Sequence, residues 1–101
     1  MKIGNIKIDI PIILAPMAGV TDFPYRQIVR QMGCKLLYSE MVSSKGLVYG
    51  NERSYDLMEY SVKDDGFISI QLFGEEASYM AEAAQKIEKE IKPDIIDINM
   101  G

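Results

Sequence analysis

Three polar side chains, Glu40, Gln71 and Asn99, stand at the ends of three successive apolar stretches of the sequence. Short aliphatic stretches of this kind are typical of buried strands in a parallel sheet. The carboxyl ends of parallel strands meet at one edge of the sheet, where α/β proteins bind their ligands. Glutamine and asparagine both donate and accept hydrogen bonds, as a planar heterocycle with carbonyl and imide groups requires. We therefore predict a binding site for such a ring at this edge.

A loop of small residues precedes these positions, at the end of the apolar residues 12–14. Its sequence over residues 15–19 is Ala-Pro-Met-Ala-Gly. The alanines and the glycine have almost no side chain, so a flat ligand can approach the backbone. Pro16 stiffens the loop because its ring fixes φ and removes one N–H donor. An ordinary turn between a strand and a helix is the alternative interpretation.

The composition restricts the chemistry further. The chain has 101 residues, a net charge of −4, one cysteine and no histidine. A single cysteine excludes a disulfide within the chain and a multi-cysteine metal site. The lack of histidine removes the commonest metal ligand and general base, so we expect no metal site. Cys34, at the predicted start of a strand, is interpreted as a buried and inert thiol.

Charge and hydropathy indicate where the protein works. The negative net charge argues weakly against a chain that binds nucleic acid by itself. We expect no membrane segment, because the sequence has no run of 18 apolar residues. The N-terminus lacks the apolar stretch of a signal peptide, which predicts a cytoplasmic protein. Lys45 and Arg53 follow the second predicted strand and are candidates for binding a phosphate, although solvated surface charge is the favoured interpretation.

The elements that position these residues alternate between strand and helix. Strands are predicted over residues 12–14, 36–40, 67–72 and 94–99, and helices over 22–32, 43–49 and 75–91. A hairpin around Gly4 and Asn5 is predicted within residues 3–10, a polar loop over 50–54 and a turn over 63–66.

The first helix has clear start and stop signals. Thr21 or Asp22 is expected to cap it, and Gly33 to end it. Its apolar residues recur at helical spacing, which predicts one buried stripe of Tyr25, Ile28, Val29 and Met32. Asp22 and Arg26 lie one turn apart and are expected to form a surface ion pair.

Apolar strands joined by helices favour a parallel α/β fold. We predict the first half of a TIM (β/α)8 barrel, with crossover helices and a short N-terminal β-hairpin, formed by residues 1–101 as one unit. Alternation along the third strand then places Phe67, Ser69 and Gln71 inward, with Gln71 and Asn99 at the mouth of the barrel. A small flavodoxin-like domain is the alternative fold.

Four motifs in order resemble those of the tRNA-dihydrouridine synthases of bacterial type. They are Ala15 to Asp22 (APMAGVTD) followed by Arg26, Ser39 to Ser43 (SEMVS), Ile70 to Gly74 (IQLFG), and Asp97 to Gly101 (DINMG). The last matches the start of the family's Asp-x-Asn-x-Gly-Cys-Pro signature. Each motif alone is weak, because related flavin barrels carry similar segments.

The resemblance implies an enzyme that reduces uridine in tRNA to dihydrouridine with FMN, which is reloaded by NAD(P)H. It implies that Pro16, Met17 and Ala18 line the flavin ring and that Gln71 hydrogen-bonds it. Asn99, and more weakly Glu40, would lie near the substrate base. The resemblance places the proton-donor cysteine directly after Gly101, so we expect no catalytic residue among residues 1–101. Those residues alone are expected to be inactive, because the family's later phosphate ligands and RNA-binding helical domain lie outside them.

Two other functions remain open at this point. One is a different FMN-dependent barrel that acts on a free pyrimidine, similar to dihydroorotate dehydrogenase. The other is a non-catalytic half-barrel fragment.

Overall fold

The computed structural model describes residues 1–61 and 66–101. The strands are β1 (Lys2–Ile3), β2 (Ile6–Lys7), β3 (Ile13–Leu14), β4 (Leu36–Tyr38), β5 (Val42–Ser43), β6 (Phe67–Phe73) and β7 (Ile95–Ile98). The helices are α1 (Phe23–Gln31), α2 (Ser44–Val48), α3 (Glu52–Leu57) and α4 (Ala77–Lys86), and α4 continues into a π-helical turn at Ile87–Ile91. The turn predicted over residues 63–66 lies outside the described residues except for Gly66.

The main sheet is parallel, and its strands follow the order of the chain. β3 pairs with β4, β4 with β6, and β6 with β7. β5 also pairs with β6, on the edge opposite β7, so β4 and β5 form two parts of one interrupted strand. A parallel sheet with crossover helices is therefore confirmed, while the barrel stays a prediction.

The two faces of β6 differ in the way that strand alternation predicts. Ile68, Ile70 and Leu72 are buried in a cluster that includes Ala83 and Ile87 of the last helical segment. Residues between them belong to the other face. This division leaves the face that carries Gln71 free of the helix-packed core.

The N-terminal hairpin is confirmed. β1 and β2 are antiparallel, and Gly4 at their turn has a φ of 56°, a left-handed value that favours glycine. The amino group of Met1 donates to the carbonyl of Ile8 at 2.9 Å, and the amide of Ile8 donates back to Met1 at 2.8 Å. Ile8 is fully buried, so the hairpin is anchored through the residue that follows β2.

The second predicted strand, over residues 36–40, is interrupted after Tyr38. Register with β6 shows one extra residue between β4 and β5, since Leu36 is opposite Phe67 but Val42 is opposite Leu72. The hydroxyl of Ser39 compensates for the missing hydrogen bond between the strands, because it accepts from the backbone amide of Gln71 at 3.1 Å. An inserted residue of this kind is a β-bulge, which redirects the next side chain.

Helix α1 begins and ends where its sequence signals indicate. The side chain of Asp22 accepts from the Tyr25 amide, and Gly33 follows the helix with a φ of 101°. The predicted buried stripe is wrong, however, since Ile28 is 59% exposed and Met32 is 83% exposed. Of the four stripe residues Val29 packs against the core, while the fully buried position of the helix carries a charge.

That charge is Arg26, and the expected surface ion pair with Asp22 is also wrong. Arg26 is only 2% exposed. Its Nη1 donates to the carbonyl of Thr21 and its Nη2 to the carbonyl of Glu59, each at 2.5 Å. Two backbone carbonyls that need donors account for a guanidinium at a position where the helical spacing predicts an exposed residue.

Two further boundaries differ from the sequence prediction. The expected polar loop over residues 50–54 contains the start of α3, because Asn51 caps that helix through the Arg53 amide at 2.9 Å. The last helix is confirmed, but it starts at Ala77 and its final turn is π-helical. Lys92 ends it in the left-handed region with a φ of 56°, and Pro93 follows.

We expect Arg26→Lys to lower the free energy of unfolding by about 1–3 kcal/mol. A lysine ammonium is a point donor, whereas the two guanidinium nitrogens reach two separate carbonyls. Urea-induced unfolding measures the change. Arg53→Lys, at an exposed position of α3, is the matched control and should stay within about 0.5 kcal/mol. Equal stability of the two variants would contradict a structural role for the buried guanidinium.

Candidate ligand-binding site

The loop after β3 is closed by the side chain of Thr21. The Thr21 hydroxyl accepts from the Met17 amide at 3.0 Å and lies 3.2 Å from the Met17 carbonyl, to which it donates. The same carbonyl accepts from the amides of Val20 and Thr21. Thr21 has no exposed surface. The loop is thereby fixed by its own hydrogen bonds before any ligand binds.

Hydrogen bonding also determines which part of this loop faces outward. Met17 and Ala18 are exposed and Pro16 is half-buried. Because the amide and carbonyl of Met17 are both used within the loop, Met17 has its side chain rather than its backbone to offer a ligand. The small side chain of Ala18 leaves the backbone beside it accessible.

Glu40 connects this loop to the interrupted strand. Its Oε1 accepts from the amide of Gly19 at 2.5 Å, and the side chain is 6% exposed. Gly19 has a φ of 75°, so the loop reaches Glu40 through a left-handed residue that favours glycine. The structure thus places Glu40 against the loop and largely out of solvent.

The charges near Glu40 are coupled to Arg26. Burial lowers the pKa of the Arg26 guanidinium, and the negative charges of Glu40, Asp22 and Glu59 oppose that shift, with Glu40 contributing most. A buried cation is stabilised when carboxylates and hydrogen-bond acceptors surround it. Glu40 therefore serves both the loop and the charge balance of Arg26.

A row of three polar side chains crosses the carboxyl ends of β6 and β7. Gln71 Nε2 donates to Asp97 Oδ2 at 2.7 Å, and Asn99 Nδ2 donates to Gln71 Oε1 at 3.4 Å. Asn99 Oδ1 accepts from the Gly101 amide at 2.8 Å. Gln71, Asp97 and Asn99 are all half-buried. The structure therefore brings together Gln71 and Asn99 as predicted and adds Asp97 of β7, which is paired with Gln71.

Met41 links the loop side of the site to the amide row. It follows Glu40 in the chain, and its Sδ lies 3.9 Å from Asn99 Nδ2. It lines a cleft of about 340 Å³ with Ala18, Gly19, Glu40 and Arg53, and a second of about 560 Å³ with Asn99 and Gly101. Of the predicted site residues, Ala18 and Glu40 line the smaller cleft and Asn99 lines the larger one. Pro16, Met17 and Gln71 line neither of the two.

The two candidate phosphate-binding cations lie on different sides of Met41. Lys45 is exposed, and its Nζ is 5.6 Å from the centroid of the Tyr79 ring. Arg53 is exposed at the wall of the smaller cleft. The two cations therefore line different clefts.

Cys34 lies at the opposite end of the sheet, two residues before the start of β4. Its thiol donates to the carbonyls of Leu36 at 3.3 Å and Ile12 at 3.6 Å. The thiol is half-buried rather than buried as predicted, it packs against the core, and its inertness stays a prediction.

The contributions of Thr21, Ser39 and Asp97 to the site are not evident from the sequence. Thr21 has the sequence signal of a helix cap, yet Asp22 is the residue that caps α1. Asp97 carries the one usable signal, since it shares a strand face with Asn99 two residues later. Ser39 gives no signal because a bulge depends on register with another strand.

Metal binding and membrane insertion are the next two properties to compare with the sequence prediction. Across residues 1–61 and 66–101, no group of three or more acidic, cysteine or histidine side chains could hold a metal ion. Within those same ranges, none of the helices has the length and hydropathy to cross a membrane.

The architecture defines an α/β protein with a site at the carboxyl ends of its parallel strands. Residues 13–101 match the family model described as "Dihydrouridine synthase (Dus)". The chain therefore belongs to the dihydrouridine synthase family.

Several bacterial relatives agree with this assignment. The chain is 41% identical over 103 residues to a "Probable tRNA-dihydrouridine synthase" of Rickettsia bellii, and all of the chain is covered. It is 44% identical over 101 residues to "tRNA-dihydrouridine synthase B" of Pseudomonas syringae pv. tomato, again over its whole length. The chain spans 31% and 29% of the lengths of these two relatives.

We expect Thr21→Val to loosen the loop, because valine keeps the shape of threonine but cannot accept from the Met17 amide. The free energy of unfolding should fall by about 1–2 kcal/mol, and amide hydrogen exchange at Met17 should accelerate. Both are measured by hydrogen exchange and thermal unfolding. Ser78→Ala, which removes an exposed hydroxyl from α4, is the control. Unchanged exchange at Met17 in the valine variant would show that the hydroxyl does not hold the loop.

Proposed function

We propose that this chain is the N-terminal part of an FMN-dependent tRNA-dihydrouridine synthase. The proposed reaction is reduction of the 5,6 double bond of uracil in tRNA, with NAD(P)H as the source of electrons. Membership of the dihydrouridine synthase family and the names of the relatives support this reaction. They favour a tRNA substrate over a free pyrimidine, and such a substrate fits the cytoplasmic location expected from the sequence.

The proposed architecture is the first half of a TIM barrel. Four neighbouring parallel strands in chain order, with crossover helices, support it. In such a barrel the carboxyl ends of the strands carry the active site. The amide row and the loop after β3 both lie at those ends.

The observation that carries the proposal is the amide row of Gln71 and Asn99 beside the small-residue loop. A glutamine amide has two N–H donors and two acceptor positions. Gln71 uses one donor on Asp97 and one acceptor position on Asn99. One donor and one acceptor position remain, which suits the edge of a flavin ring that alternates N–H and C=O groups.

The loop fits the face of the same ring. Pro16, Met17 and Ala18 offer two small or rigid residues and one flexible thioether side chain, and Met17 and Ala18 are exposed. A methionine side chain adapts readily to an aromatic surface. We therefore assign these three residues to the flavin ring and Gln71 to its edge.

Asn99 would lie near both the flavin and the substrate base. Bound flavin would supply a hydride to uracil carbon 6. Asn99 Oδ1 accepts from the Gly101 amide and one Nδ2 hydrogen is donated to Gln71 Oε1, so the second Nδ2 hydrogen, which faces the Met41 sulfur, would orient a uracil carbonyl. The acid that protonates carbon 5 is proposed to be a cysteine directly after Gly101. Glu40 as a second substrate contact remains a weaker proposal.

We expect Gln71→Leu in the full-length protein to raise the dissociation constant for FMN about tenfold, or about 1.4 kcal/mol. Leucine keeps the volume but leaves the polar ring edge unpaired, which costs about 1–3 kcal/mol. Titration of FMN into apo protein, followed by quenching of flavin fluorescence, measures the affinity. Gln85→Leu, at an exposed position of α4, is the matched control. Equal affinity in wild type and Gln71→Leu would remove Gln71 from the flavin site.

The 101-residue chain alone should form no dihydrouridine when it is incubated with unmodified tRNA, FMN and NADPH. The proposed proton donor and the phosphate ligands expected from the resemblance both lie after Gly101. Mass spectrometry of the digested tRNA measures the product, with the full-length protein as the positive control. Product above a no-protein blank would show that the proton donor lies among residues 1–101.

A further inference from the structure

The position of Glu40 is not the one that regular alternation along a strand would give. The extra residue between β4 and β5 places it in the interruption of the strand. Ser39 fixes the backbone there, since its amide donates to the Ser69 carbonyl at 2.9 Å and its hydroxyl to the Glu40 carbonyl at 2.7 Å. The bulge therefore has a defined conformation and directs Glu40 toward the loop after β3.

The contact that Glu40 makes is with backbone rather than with another side chain. Its Oε1 accepts from the Gly19 amide at 2.5 Å. Gly19 has a left-handed φ of 75°, and Ala18 beside it is one of the residues assigned to the flavin ring. The orientation of the loop at Ala18 thus depends on the reach of the Glu40 side chain.

We infer that Glu40 is a positioning residue that holds the flavin-facing loop in its binding conformation through the Gly19 amide. The Arg26 guanidinium balances the Glu40 charge, which is why an almost fully buried carboxylate is tolerated there. This inference rests on the proposed function for its connection to flavin. It assigns Glu40 a role different from the substrate contact that the sequence predicts.

Two substitutions separate reach from charge. Glu40→Gln keeps the length of the side chain and an oxygen that can accept from Gly19, but it loses the charge. Glu40→Asp keeps the charge and loses one methylene of reach. Both are made in the full-length protein. Glu59→Gln and Glu59→Asp are matched controls, because Glu59 is an exposed carboxylate that also acts on Arg26 and lines a cleft with Glu40.

The first measurement is hydrogen exchange of the Gly19 amide without flavin. Exchange in Glu40→Asp should be about tenfold faster than in wild type, because the amide loses its acceptor. Exchange in Glu40→Gln should stay within about threefold of wild type. The two Glu59 variants should match wild type. This readout needs no bound cofactor.

The second measurement is FMN affinity by fluorescence quenching, together with the absorption spectrum of the bound flavin. Glu40→Asp should weaken FMN binding about tenfold, while Glu40→Gln should bind within about threefold of wild type. A weaker Glu40→Gln than Glu40→Asp would show that charge is what matters and would overturn the inference. Unchanged Gly19 exchange in both variants would overturn it as well.

Two further results separate this inference from its alternatives. A raised KM for tRNA in Glu40→Asp, with FMN affinity and Gly19 exchange as in wild type, would make Glu40 a substrate contact and overturn the positioning role. Failure of the wild-type protein to bind FMN would refute the proposed function. In that case the exchange measurement still decides whether Glu40 holds the loop.

Discussion

The buried guanidinium of Arg26 is the interaction on which the rest of the site depends. It joins α1 to the segment between the loop and that helix, through the Thr21 carbonyl, and to the residues that follow α3, through the Glu59 carbonyl. Removing a guanidinium from water is costly, and the cost is recovered only when acceptors and negative charges surround it. Once Arg26 is fixed, Thr21 is fixed, and Thr21 in turn closes the loop on Met17.

The Asp97 carboxylate sets the orientation of the side-chain amides of Gln71 and Asn99. Asp97 in its ionised form can only accept hydrogen bonds, so Gln71 must present its Nε2 to Asp97. The carbonyl oxygen of Gln71 then faces Asn99, which must answer with its own Nδ2. The Asp97 carboxylate therefore determines which end of each amide is available to a ligand. Rotating either amide by 180° would break a hydrogen bond.

The sequence predicts the parallel sheet, the hairpin and the last helix because these depend on local signals. Apolar strands, a Gly-Asn turn and a helix-length stripe each act within about fifteen residues. The contacts that distant segments make were predicted less well. Arg26 has the spacing of a surface residue on α1, and only the carbonyls of Thr21 and Glu59 explain its burial.

The same difference between local signals and long-range contacts explains which site residues the sequence predicts. Gln71 and Asn99 are found together because they end neighbouring strands, which sequence order reveals. The bulge at Ser39 and the contact of Glu40 with Gly19 depend on the register between β4 and β6. This register is set by pairing between separate strands, so it cannot be predicted from the local sequence of either strand.

The extra residue between β4 and β5 also constrains which changes of length this segment can accept. Leu37 and Val42 are five positions apart, an odd spacing that would put them on opposite faces of a regular strand. Both are nevertheless buried in the same core cluster. The bulge shifts the phase of the alternation by one, so that both side chains point to the helices. Loss of the one extra residue would leave these two side chains four positions apart, the spacing of Ile68 and Leu72 opposite them, so both would stay in the core while the bulge disappears. Members of this family that lack the extra residue should therefore keep both core contacts and lose the bulge that here directs Glu40 toward the loop.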